Sequence, residues 1–376
     1  MAGIYLHIPF CRKACHYCNF HFSTQQDAQE QMVEALIKEA ELRKLELQEN
    51  IETVYFGGGT PSILPASSIA RLIDTLRTHY HINEDAEYTL EANPDDISPE
   101  KAKAWKEMGI NRFSIGIQTF NDAHLQQMNR AHHADQSSAC IRIIRDAGFS
   151  NFSIDLIYGM PTQSIQEWEM DIDKAIALNI PHLSCYALTV EEGTALHHMS
   201  QQGKIAPVDP DHQARCFELL MEKTGVAGYH HYEISNLALP GHESRHNSAY
   251  WEGKPYMGLG PSAHSFNGRQ RSWNISHNID YLKAIAAGEL PSTAETLSEM
   301  DLLNEYIMTA LRSSKGLNKQ RILEGWGQDR LTAIQQGMQA ALMAGNAVED
   351  DDAWRLTRKG KFLADGIAAS LFFLHD

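Results

Sequence analysis

The chain has 376 residues, 43% hydrophobic, 21% charged and 9% aromatic, which excludes a disordered, collagen-like or disulfide-miniprotein chain and allows two domains or one α/β barrel with an appendage. With 32 Lys and Arg against 48 Asp and Glu, its formal net charge of −16 disfavours nonspecific attraction to nucleic acid or anionic lipid. No run approaches the roughly 18 apolar residues of a membrane span, the start lacks a basic signal region, and three of six cysteines crowd into residues 11–18, so an unprocessed protein of a reducing cytoplasm is expected.

Short runs rich in β-branched or aromatic residues predict strands at 4–8, 53–56, 88–92, 112–116, 152–157 and 182–188. Helical patterns such as Val33, Leu36, Ile37 and Ala40 lie between them. Strand starts spaced by 49, 35, 24, 40 and 30 residues suit βα units and forbid hairpins. The expectation is an α/β fold, a partial (β/α)6 barrel over residues 1–235, with reactive groups at the strands' C-terminal ends. Residues 236–297, punctuated by Pro240, Gly241, Gly253, Pro255, Gly258, Gly260 and Pro261, read as an irregular connection. Residues 298–376 read as a mainly helical, winged-helix-like unit. A capping box at Ser298 and Asp301 opens a helix ended by Gly316; further helices lie before Gly327 and at about 331–343, a hairpin turns at 349–352, and a last helix starts at Arg358. Nine Lys and Arg against ten Asp and Glu in residues 301–376 argue against DNA binding there.

Cys11-x-x-x-Cys15-x-x-Cys18 places three thiols in one loop directly after the first strand. Three cysteines on a [4Fe–4S] cluster leave one iron open, whereas four would close it. A zinc site completed by His7, His16 or His21, or three unrelated thiols, are the alternatives. Cys140, Cys185 and Cys216 are scattered and read as small buried hydrophobes.

The run from Tyr5 to Phe20 resembles the opening signature of radical S-adenosylmethionine (SAM) proteins, in the branch of oxygen-independent coproporphyrinogen III dehydrogenase. The resemblance implies a [4Fe–4S] cluster on Cys11, Cys15 and Cys18 whose open iron chelates SAM, and reductive cleavage of SAM to a 5′-deoxyadenosyl radical. The glycine run 57–59 permits close backbone approach, as a tight turn also would. In the resemblance Gly58, Gly59 and Thr60 contact the methionine part of SAM. Glu91, Gln118 and Asp155 interrupt apolar runs where strands finish, and a carboxylate there costs several kcal/mol unless it finds partners. By resemblance Gln118 and Asp155 bond the ribose hydroxyls, Arg130 and Glu91 engage the methionine end, Tyr5 and Tyr17 line the pocket, and Ala187 approaches the adenine.

Two departures bear on the branch. Phe20 stands where the dehydrogenases carry a fourth cysteine, and the chain begins almost on the first strand, where they have an extension. These departures and the segment His246-Asn-Ser-Ala-Tyr250-Trp251 look like the HemW-type haem-chaperone branch, whose HNxxYW segment is implicated in haem binding. An imidazole ligates haem iron and Tyr250 and Trp251 offer flat apolar surface; on the residues alone a hydrogen-bonded loop His246 with Trp251 packed onto the barrel's open side is the simpler reading, the resemblance favours the haem ligand, and His242 competes. The implied function is binding haem as cargo and delivering it to acceptor haem proteins, respiratory ones at a membrane surface, with cluster and SAM regulating the site. Oxidative decarboxylation of coproporphyrinogen III is the alternative. Whether the protein is an enzyme, and whether it forms a homodimer, stay open.

Overall fold

The computed structural model describes residues 2–374. Six parallel strands form its centre: β1 (Ala2–Ile8), β2 (Ile51–Gly58), β3 (Ile82–Ala92), β4 (Arg112–Gln118), β5 (Phe152–Tyr158) and β6 (His182–Ala187), paired in that order. Each continues one to several residues past the predicted run or stops within one of it. Side chains of β4 are buried along its whole length, as expected of strands covered on both faces. Helices such as Gln29–Leu42 and Ile165–Ala177 return the chain between strands, the second opened by a Ser164–Glu167 capping box.

The sheet continues beyond both edges. On the β6 side, β7 (His230–Glu233) and β8 (Asn236–Ala238) add antiparallel pairs. On the β1 side, β9 (Tyr256–Leu259) pairs in parallel, and β10 (His264–Phe266), β11 (Gln270–Asn274) and β12 (Ser292–Thr296) follow antiparallel. The stretch expected as an irregular connection thus supplies five strands of a 12-stranded open sheet. Its glycines are what let it pair: a Cβ on Gly258 would collide with the His264 carbonyl where β9 folds back against β10.

One hydrophobic core runs from β1 to Ile285 and buries Cys140, Cys185 and Cys216. A second, with Leu303, Ile307, Met338 and Trp354, holds the C-terminal unit together. There the Ser298–Asp301 capping box opens helix Glu299–Leu311. That helix ends before Gly316, which instead turns the chain against Trp354 at φ +69°. Helix Lys319–Met343 breaks at Gly327 (φ 85°, ψ 175°). The segments 347–349 and 353–356 form the hairpin, and the last helix, Ala364–Ser370, starts six residues later than the sequence predicts, after a 3-10 turn at Gly360–Leu363. Among the described residues no helix is long and apolar enough to cross a membrane.

Candidate functional site

Parallel strands carry their C-terminal ends to one rim, where Glu91, Gln118 and Ala187 stand at or next to the ends of β3, β4 and β6, whereas Tyr5 and Asp155 lie in the middle of β1 and β5 rather than where those strands finish. The loop after β1 holds the three cysteines and is tied down by backbone bonds, from Cys11 N to Ser23 O (3.0 Å), from Ser23 N to Pro9 O (2.8 Å) and from His16 N to Met128 O (3.2 Å). Arg12 anchors it further by donating from Nε to Asp96 Oδ1 at 2.9 Å. After β2, Gly59 donates to Ile8 O at 2.9 Å, and a Cβ there would stand 2.7 Å from Phe10 O; the turn and the cysteine loop touch backbone to backbone.

A chain of hydrogen bonds runs from one thiol to another across three strand ends. Thr60 Oγ1 donates to Cys11 Sγ (3.5 Å) and accepts from Asn93 Nδ2 (3.2 Å). Arg130 donates from Nη2 to Asn93 Oδ1 and to Gly116 O (both 2.7 Å), and from Nη1 to Cys15 Sγ and Tyr17 OH (both 3.4 Å). Asn93 was not singled out in the sequence, because an Asn before Pro94 after a strand reads equally well as a turn. The short contact that a Cβ on Gly116 would make with Arg130 Nη2 (3.0 Å) explains a glycine in the middle of β4.

Burial governs the charges. It pushes the Cys11 thiol up to about 11 against the Thr60 hydrogen bond, and raises Cys18. Such thiols stay neutral unless a bound cation deprotonates them. Glu91 accepts from Tyr55 OH (2.8 Å) and is raised to about 8, first by desolvation and then by Asp155. Asp155 accepts from Ser114 Oγ (3.1 Å) and is held up to about 6 by burial, opposed by Ser114 and Ser184. Gln118 ends β4 at φ 69°, an unusual conformation for a residue with a side chain, and among the described residues its amide has no partner. Ala187 ends β6 opposite Tyr158.

Three thiols in one loop, two of them accepting hydrogen bonds from Thr60 and Arg130, suit the three-cysteine donor set of an iron–sulfur cluster with one open iron. Of the histidines that could complete a zinc site, His7 has both ring nitrogens engaged, by Tyr5 OH and His21 O, while His16 and His21 each bond through one, to Gln127 O and Asn278 Oδ1.

Beside the cysteine loop, between β1, the segment 250–271 and helix Glu299–Leu311, lies a cavity of about 780 Å³. Phe20, Tyr250, Tyr256, Phe266, Tyr306 and Trp326 line it, with Phe20 69% exposed. Of the HNxxYW segment, Tyr250 reaches this wall. His246 lies behind it, 2% exposed, with Nδ1 bonded to Thr53 Oγ1 (2.7 Å), Nε2 to Tyr250 OH (2.9 Å) and its ring stacked on Tyr55. Burial lowers its pKa to about 3. Trp251 instead receives the Arg312 guanidinium over its ring at 5.8 Å. A ligand role for His246 would require it to release one of those two bonds.

Residues 5–175 match the model of the radical SAM superfamily. The structure of coproporphyrinogen III oxidase (HemN) from Escherichia coli superposes with a TM-score of 0.85 at 24% identity, over 99% of this chain and 90% of that one, which shows a shared fold. Proteins named heme chaperone HemW from Bacillus subtilis and Mycobacterium tuberculosis are each 34% identical, over 98% of this chain and 98% and 94% of theirs. With such identity running end to end, the chain belongs to the HemW family of the radical SAM superfamily.

Proposed function

We propose that this protein is a haem chaperone, binding haem in the cavity beside the cysteine loop and passing it to haem-requiring acceptors. The observation that carries this reading is the cavity itself: about 780 Å³, walled by aromatic rings, is within the roughly 300–1,000 Å³ of pockets that enclose cofactor-sized ligands. The names of the full-length relatives support it. Phe20, in place of a fourth cysteine, adds apolar surface at the wall.

In this reading Cys11, Cys15 and Cys18 hold a [4Fe–4S] cluster, which when bound supplies an open iron and a single electron. The Arg130–Asn93–Thr60 chain fixes the loop and donates to two of its sulfurs, offsetting thiolate charge. Gly58, Gly59 and Thr60 with Glu91 and Arg130 cradle the methionine end of SAM. Gln118 and Asp155 bond its ribose, Tyr5 and Tyr17 line the pocket and Ala187 meets the adenine. Respiratory acceptors reached at a membrane surface are the finer proposal for partners.

The test is haem transfer: the haem-loaded, cluster-reconstituted protein is mixed anaerobically with an apo-haem protein, and the acceptor's Soret band is followed beside an assay of coproporphyrinogen III turnover with SAM and reductant. Transfer faster than from free haem, without decarboxylated product, is expected. Decarboxylation without transfer would overturn the chaperone reading in favour of a dehydrogenase.

A further inference from the structure

The cavity presents three histidines, and their hydrogen bonds separate them. His7 has both ring nitrogens engaged, Nδ1 with Tyr5 OH (3.2 Å) and Nε2 with His21 O (2.8 Å). His21 gives Nε2 to Asn278 Oδ1 at 2.7 Å. His264, exposed on β10, has neither nitrogen bonded among the described residues, and its ring is propped against Trp273 at a centroid distance of 6.1 Å. A histidine that ligates iron must be neutral with a free lone pair. His264 meets both requirements: its ring, though exposed at the cavity, is partly desolvated there, and this with the Arg271 charge holds its pKa below the ordinary value.

The cavity's cations divide in the same way. Arg271 is neutralised by Glu305 at 2.7 Å and Glu295 at 3.8 Å, and Lys254 by Glu252 at 3.2 Å and Glu52 at 3.8 Å. Arg321, from the C-terminal unit, has no carboxylate partner among the described residues: one N–H donates to Glu252 O at 3.0 Å and the guanidinium lies over the Tyr306 ring at 4.2 Å. A guanidinium held by a ring and a carbonyl keeps donors free for a ligand carboxylate.

We propose that the cavity binds an iron porphyrin with His264 as axial ligand and Arg321 as a contact for a propionate, so that the cargo is gripped from both hydrophobic units. This rests on the haem reading above and goes beyond it by assigning the iron and carboxylate contacts to residues outside the HNxxYW segment. His246, with both nitrogens used, holds Tyr250 in the cavity wall. Binding forms an Fe–N bond to a neutral imidazole, with no change in oxidation state.

The test is an anaerobic titration of the cluster-reconstituted full-length protein with haem and with metal-free protoporphyrin IX, followed by Soret absorbance and fluorescence, for the wild type, His264→Ala, Arg321→Gln and His246→Gln. Because His264 is exposed and unbonded, His264→Ala keeps the wild-type Tm. It is expected to shift the Soret band and weaken haem about tenfold or more while leaving protoporphyrin unchanged, and added imidazole should restore the spectrum. Arg321→Gln should weaken both ligands by about tenfold. A His264→Ala protein with wild-type spectrum and affinity, or a His246→Gln protein that alone loses the band, overturns the assignment. If the wild type itself binds no haem saturably, the chaperone reading fails and the ligand assignment with it.

Discussion

Two carboxylates, Glu91 next to the end of β3 and Asp155 in the middle of β5, are kept partly protonated by desolvation, and their titration tests the site one residue at a time. Glu91, raised from 4.5 to about 8, binds a proton in the folded protein that the unfolded chain has already released. Folding is therefore progressively penalised as pH rises from about 4.5 to about 8, and the penalty is constant above that. Glu91→Gln removes it, so the Tm of the variant relative to wild type, in metal-free protein, should climb between pH 5 and pH 8; a difference independent of pH would contradict the burial argument. Asp155→Ala, with the cluster retained, should weaken SAM about tenfold or more by equilibrium dialysis, the loss of hydrogen bonds to a charged acceptor, and unchanged affinity would remove Asp155 from the site. Both residues were legible in the sequence because a carboxylate inside an apolar run has few cheap explanations. The Asn93 bridge and the enclosure of His246 were not, since residue type does not reveal which neighbour each polar atom meets.

At the scale of elements, the turn after β2 sets where the cysteine loop can lie. Gly58 sits at φ +110° with the His7 ring 2.8 Å from where a Cβ would be, and Gly59 has the Phe10 backbone equally close. Gly59→Ala should cost about 1–3 kcal/mol through overpacking and lower the iron and sulfide bound per chain after reconstitution. Wild-type Tm and iron content in this variant would show that the loop is positioned by something else. β1 to β6 could be read from sequence because doubly covered parallel strands are nearly continuous apolar runs. β9 to β12 could not: β9 is four residues long and turns on Gly258, and every side chain of β12 is exposed, so neither carries the alternation that marks a strand.

For the molecule as a whole, five histidines with enclosed rings act on the acid side, His231 among them, lowered to about 3. His7 is lowered to about 4, His132 and His246 to about 3, and His182 well below its ordinary value, each first by desolvation. The unfolded chain takes up these protons near pH 6.5 and the folded one only far below, so stability is lost as pH falls from 6.5 toward 4, by up to about 1.4 kcal/mol per pH unit for each. Burial raises Glu91, Asp155, Asp95, Asp171 and Glu233, which act in the opposite sense, so the test is made on one ring: the stability of His132→Gln relative to wild type should rise as pH falls from 6 to 4.5, and a difference independent of pH would contradict the burial of that ring. The joining of barrel and C-terminal unit around one aromatic cavity was not visible from sequence, where their boundary read as an irregular connection. The chaperone account stands on that cavity, and its most direct test is an anaerobic haem titration of the reconstituted protein with gel filtration. Saturation near one haem per chain, with haem co-eluting with protein, is predicted; weak, unsaturable uptake that separates on the column would contradict it.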